Sequence, residues 1–207
     1  MTWLISFLIV IIIIIIIYLS YWRQYLILEK DHEKYVVDTH DDYKSAAQTL
    51  RELNEFNIDL MRHLKKKYLS DVEHMSEYGN KALITERILR NYRPDTISEM
   101  NPHNLFGYTS YAENKGEKLV FCIREKNKEK KIHDLDLLKF VSIHEMSHLG
   151  TREYGHPEKF WIIFKWLLIE AESVNLYKNI DFEKNPPVYC GMTITYNPRF
   201  DKKIKLL

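Results

Sequence analysis

The sequence predicts an α+β protein: a compact domain in which a histidine-bearing helix packs beside a small antiparallel sheet, preceded by an apolar amino-terminal helix. Three observations predict it. The stretch His144-Glu145-Met146-Ser147-His148 ends a run of apolar residues at helical spacing. Two β-prone segments flank the turn-forming residues Glu113-Asn114-Lys115-Gly116-Glu117. The first 22 residues carry no charged side chain.

A chain of 207 residues, 45% hydrophobic and 29% charged, has room for one globular domain plus extras. The net charge of +1 gives no ground for a nucleic-acid partner. Cys122 and Cys190 belong to no C-x-x-C pair, so a four-thiolate metal site is excluded. They read as two buried free thiols, with a single disulfide as the alternative if the domain lies outside the cytosol.

Residues 1–22 predict a single-pass transmembrane anchor. About 20 apolar residues cross a bilayer core as a helix. Isoleucine runs unbroken from Ile11 to Ile17, with Trp3 at one end and Tyr18, Tyr21 and Trp22 at the other, as in an aromatic belt. A cleaved signal peptide would need a basic start and a small-residue cleavage site, and this stretch has neither. Arg23, Lys30 and Lys34 follow the span, which puts the catalytic domain on the cytosolic side. The chain has no N-x-S/T acceptor, consistent with that side.

Residues 23–75 read as a helical stalk. Arg23 to Asp42 continues the anchor as a helix or short stalk. From Tyr43 to Tyr68 an amphipathic helix is expected, because Ala46, Leu50, Leu53, Phe56, Leu60 and Leu64 recur at spacings of three and four. Its apolar face is expected to pack on the chain's own domain. Residues 76–207 form that domain. Lys81 to Tyr92 is a second helix, stopped by Pro94, and Asp95 to Asn104 is turn-rich. Tyr108 to Ala112 and Lys118 to Arg124 then form a hairpin, because Asn and Gly tolerate the left-handed backbone its turn requires. Glu125 to Lys131, with six charges in seven residues, is an exposed loop.

The chemistry sits on the next helix. Asp134 or Asp136 caps it, and Leu137, Leu138, Phe140, Val141 and Ile143 bury it. His144 and His148, four residues apart, share one face. Gly150 is expected to end the helix in the left-handed conformation. His156 returns as the third ligand, and Pro157 opens a long apolar helix from about Glu158 to Tyr177. Three neutral imidazoles leave Zn2+ doubly charged with an open position, where a water becomes acidic. Glu145 takes that water's proton as the catalytic general base and passes it to the leaving amine. Tyr154, Tyr189 and Tyr196 are candidates to hold the oxyanion, and a protein or peptide substrate would add to the sheet edge as an extended strand. Glu170 or Glu172 is the rival third ligand, while His103 and His133 read as bystanders.

His144-Glu145-Met146-Ser147-His148, then Gly155-His156-Pro157 and Phe160-Trp161, resemble the WLM and SprT-like metallopeptidases. Thr109-Ser110-Tyr111 and Val188-Tyr189-Cys190-Gly191-Met192 are most similar to a WLM-like group of large DNA viruses and some eukaryotic microbes. The resemblance covers about Ala82 to Pro198. It implies a compact zincin-like fold with His144, His148 and His156 as zinc ligands and Glu145 as base. Several family members cleave proteins crosslinked to DNA. The seven-residue loop between the second and third histidines is longer than the usual WLM spacing, and an anchor is unlike the soluble repair proteases. The expected function is a membrane-anchored zinc metallopeptidase. The alternatives are an inactive zinc-binding scaffold at a membrane and a protease acting on DNA-bound or crosslinked protein.

Overall fold

The computed structural model describes residues 2–22, 25–30, 33–70, 80–101 and 109–207, with side chains for all of these but 2, 19–22, 25–30 and 33. His103 and Pro102 lie outside the described residues. The elements run α1 (Thr2–Trp22), β1 (Tyr25–Lys30), β2 (Glu33–Asp38), α2 (Tyr43–Tyr68), α3 (Asn80–Asn91), β3 (Ile97–Glu99), β4 (Ser110–Glu113), β5 (Lys118–Phe121), α4 (Leu135–Gly150), α5 (Glu158–Ser173), β6 (Val188–Tyr189) and β7 (Met192–Thr193). Among the described residues the fold is α+β, with five α-helices and a mixed sheet in place of the small antiparallel sheet expected.

α1 has 21 residues and would measure about 30 Å at 1.5 Å per residue. Its side chains from Trp3 to Tyr18 are exposed, Ile11 less so. Among the described residues, no helix is long and apolar enough to cross a membrane.

The stalk expected after it is corrected. β1 and β2 form an antiparallel hairpin, pairing Tyr25 with Asp38 through Lys30 with Glu33. Tyr35 and Val37 are buried while Lys34 is exposed, which is strand periodicity. Interspersed charge masks the β preference of Tyr35-Val36-Val37 when the segment is read locally. α2 has the expected bounds and packs on the domain as expected, with Leu50, Leu53, Leu60 and Leu64 fully buried in the common core.

The five-stranded sheet has the order β1-β2-β3-β5-β4. β3 runs parallel to both β2 and β5, and β4 is antiparallel to β5 at the edge. β3 occupies part of a stretch expected to be turn-rich. Its three residues Ile97, Ser98 and Glu99 are buried, and Glu99 accepts from the Asp38 N–H (2.7 Å) and Arg124 Nε (2.7 Å). A strand this short and polar gains its place from neighbours rather than from periodicity.

α4 lies at the centre, packed on α5, α3, α2 and β4. A helix covered on several sides must be apolar nearly all round, and Leu137, Leu138, Phe140, Val141, Ile143, Met146 and Leu149 are buried. Ser142 satisfies its buried hydroxyl on Asn57 of α2 (2.7 Å). This packing makes α4 a rigid platform for the side chains on its open face.

Candidate metal centre

α4 begins where Asp134 accepts a hydrogen bond from the Asp136 N–H (2.9 Å). It ends differently from expectation. Gly150 has ordinary helical geometry, and the next residue, Thr151, is extended (φ −90°). Glycine is needed there for close packing, because a Cβ would sit 3.1 Å from Ile84 Cγ2 and 3.3 Å from Ile88 Cδ1. Arg87 and Asn91 of α3 cap the last carbonyls, Arg87 donating to Gly150 O and Asn91 to Leu149 O (3.1 Å).

The chain then returns with His156 over the open face of α4. The ligand-capable nitrogens of His144, His148 and His156 all lie within 4.8 Å of one another. The Nε2 atoms of His144 and His156 are 3.1 Å apart. A tetrahedral ion with bonds of about 2.1 Å spaces its ligand atoms about 3.4 Å apart, so the three rings fit one small dication. Phe160 backs the cluster, with its ring centroid 4.9 Å from His144 and 4.5 Å from both His148 and His156. Sequence reasoning names Phe160 in the apolar helix and in the Phe160-Trp161 part of the resemblance without giving it a place at the histidines; its spacing four residues after His156 is the available signal.

Burial favours the neutral imidazole, the form that coordinates metal, at all three positions. It lowers His144 to about 3, with help from His148 and His156, and His148 to about 4. His156 is lowered by burial as well.

Glu145 is buried beside them. Burial raises its carboxyl to about 8, against the opposing hydrogen bond from the Ala112 backbone. Its Oε2 is buried and has no protein partner. A buried carboxylate oxygen without a donor is costly, and a water held at the histidines would supply that donor. The donor set and this orphaned oxygen together fit a catalytic metal rather than a closed structural one.

The cavity in front of the histidines measures about 590 Å³ and carries an apolar wall of Phe140, Val141, Trp161, Phe164 and Ile194. Thr109 to Ala112 of the β4 segment line its other side. Lys115, in the β4–β5 turn with φ +62°, secures the return loop by donating to the carbonyls of Thr151 (3.0 Å) and Glu153. Its place in that loop was not foreseen, since a turn lysine reads as solvated.

The three tyrosines singled out all border this cavity. Tyr189 shares its hydroxyl with Ser110 Oγ (2.5 Å), and Tyr196 donates to Asp201 (2.8 Å). Tyr154 is 82% exposed at the mouth, with the Lys115 ammonium 4.8 Å from its ring centre. The rival ligands point elsewhere. Glu170 is bonded to His63, Lys67, Tyr68 and Trp166, and Glu172 to Arg199. His133 is buried and structural, accepting from the Cys190 N–H (3.3 Å).

The two cysteines are not free thiols. Cys122 and Cys190 form a disulfide, their Cα atoms 6.2 Å apart. It ties the β6–β7 hairpin, which carries Tyr189 to the cavity, onto the end of β5. Their separation of 68 positions along the chain concealed this proximity.

The chain is similar to two uncharacterized viral proteins. It is 39% identical over 87 residues to one from Acanthamoeba polyphaga mimivirus, covering 42% of this chain and 44% of that protein. It is 38% identical over 103 residues to one from Invertebrate iridescent virus 6, covering 45% of this chain and 56% of the relative. The chain thus spans about half the length of the curated relatives it matches. No family model matches the sequence, and no solved structure matches the fold.

Proposed function

We propose that the chain is a zinc-dependent metallopeptidase held at a membrane by α1, with His144, His148 and His156 as ligands and Glu145 as general base. The observation that carries this is the convergence of three neutral imidazoles beside a buried carboxylate whose free oxygen has no protein partner. The WLM and SprT-like resemblance around the same residues points the same way.

Zinc, when bound, supplies a Lewis acid that acidifies water and polarises a peptide carbonyl. The chain's residues do the rest. Ala112 N–H fixes one Glu145 oxygen, leaving Oε2 to accept a proton and later deliver it to the leaving amine. The carboxylate form of Glu145 would be favoured by a dication held by the three histidines, because an opposite charge nearby opposes the effect of burial. The edge of β4 offers backbone groups to an extended peptide, whose apolar side chains enter the Phe140–Trp161–Phe164 wall. Tyr154 is the hydroxyl best placed to support the oxyanion, because those of Tyr189 and Tyr196 are engaged. The intact Glu145 argues against an inert scaffold, and the near-zero net charge against a dedicated DNA-bound substrate.

For the membrane, the exposed isoleucines of α1 are the supporting feature. The side is a choice between two observations. Basic residues after α1 favour the cytosol, but Glu29, Asp31 and Glu33 are interspersed with them. The disulfide favours an oxidising compartment. We take it as the stronger and place the domain on the non-cytosolic side. Alkaline carbonate should leave the protein in the membrane fraction, and external protease on sealed vesicles reads its orientation.

The test of function uses the full chain in mild detergent. One zinc per chain and cleavage of an unfolded protein are expected, with His156→Ala losing metal. One zinc per chain with no cleavage of any unfolded protein would return the scaffold reading.

A further inference from the structure

Beside the metal cleft lies a second cavity of about 600 Å³, bordered by Glu86, Arg87 and Arg90 of α3 and by Lys115, Thr151 and Arg152. Lys115 borders both cavities, so the two adjoin. Arg90 and Arg152 are exposed and make no ion pair among the described residues. Arg87 is half-buried, with one nitrogen on the Gly150 carbonyl. Its proton affinity is lowered by burial and then by repulsion from Arg152 and Arg90, with Glu153 opposing. Four cations therefore face one bordering carboxylate, Glu86, with Glu153 nearby. In a chain of net charge +1 this is a local concentration, not a reflection of overall basicity.

We propose that this arginine groove docks an acidic segment of the polypeptide substrate, next to the bond that is cleaved. The inference rests on the peptidase reading and names its substrate class. The topology gives the direction. β4 runs from Ser110 to Glu113, and Lys115 follows in the turn. A substrate strand laid along β4 and continued past Glu113 meets Lys115 and then the three guanidinium groups. Carboxylates there replace mutual repulsion by charge-assisted hydrogen bonds, for which the planar guanidinium is suited. An anionic ligand would give these guanidinium groups charge-assisted hydrogen bonds where they otherwise have only water and salt. A nucleic acid is the poorer fit, because its affinity comes from phosphate contacts spread along a basic surface, and this groove is short and opens on a peptide cleft.

The experiment is fluorescence anisotropy on the full-length, zinc-loaded Glu145→Gln protein in neutral detergent. Three labelled ligands are compared: an unstructured peptide with a Glu/Asp cluster, the same peptide with Gln/Asn, and a single-stranded DNA oligonucleotide. The acidic peptide is expected to bind about tenfold more tightly than the neutral one, with the preference falling as salt rises. Arg90→Glu with Arg152→Glu should erase that preference while leaving neutral-peptide binding unchanged. Equal binding of the two peptides, or a preference that survives the double charge reversal, overturns the proposal. So does DNA that binds more tightly than the acidic peptide and loses affinity in the same variant. Cleavage of the neutral peptide by the wild-type protein, measured in parallel, tests the peptidase reading separately: failure there leaves the binding result interpretable, and success there does not rescue a failed binding result.

Discussion

Replacing Glu145 by glutamine tests chemistry and electrostatics at one atom. Glutamine keeps the shape and an oxygen for the Ala112 N–H, but it cannot ionise. Hydrolysis should fall by about 10²–10⁴-fold, the usual contribution of a positioned general base, while zinc content stays at one per chain. The metal-free proteins should differ as well. Burial raises Glu145 from 4.5 to about 8. Between those values the folded wild type holds a proton that the unfolded chain has released, so its stability declines as pH rises. The decline is about 1.4 kcal/mol per unit, with an upper limit of about 5 kcal/mol over the interval. The variant lacks it. The histidines are common to both proteins and their opposite trend cancels in the difference. Denaturant unfolding of chelated wild type and variant at pH 5 and pH 8.5 measures this. The variant should gain on the wild type by several kcal/mol at the higher pH. A difference that does not change with pH would show that Glu145 does not ionise in a buried site, and unchanged turnover would remove it from the base role.

Other outcomes follow from the packing around the site. Glu170→Ala strands the buried partners Tyr68 and Trp166 and should cost about 3 kcal/mol in denaturant unfolding, yet leave zinc stoichiometry intact; metal loss without unfolding would make Glu170 a ligand. Gly116 has φ +111°, and a Cβ there would collide with the Asn91 carbonyl. Gly116→Ala should therefore lower stability by at least about 2 kcal/mol, read as a fall in melting temperature. Thiol titration of the native protein should find no free cysteine before reduction. Opening the Cys122–Cys190 bridge, which closes a loop of 68 residues, should cost about 4 kcal/mol. Labelling of either cysteine in the unreduced protein would contradict the bridge.

The sequence by itself determined what local periodicity and short spacing encode. The bounds of α2 follow from six apolar residues at helical spacing. α4 follows from its cap at Asp134 and its apolar body, and the pairing of His144 with His148 follows from the helical turn. His156 is tied to them by a loop too short to wander, so its convergence was also legible. The β4–β5 hairpin followed from Asn114 and Gly116. The tertiary structure alone decided features whose partners are distant in the chain. β1 and β2 are strands because they pair with each other and β2 lies beside β3, against the charge that suggested a stalk. β3 is a strand because two neighbours hold it. Gly150 is glycine for the sake of Ile84 and Ile88, 62 or more positions earlier, and not for its own backbone angle. The cysteines are bridged because the β6–β7 hairpin folds onto β5. Glu170 faces α2 instead of the histidines because Lys67, Tyr68 and His63 compensate its burial. The raised pKa of Glu145 belongs to the same class: the motif names the residue, but only the surrounding packing removes its water and leaves one oxygen without a protein partner.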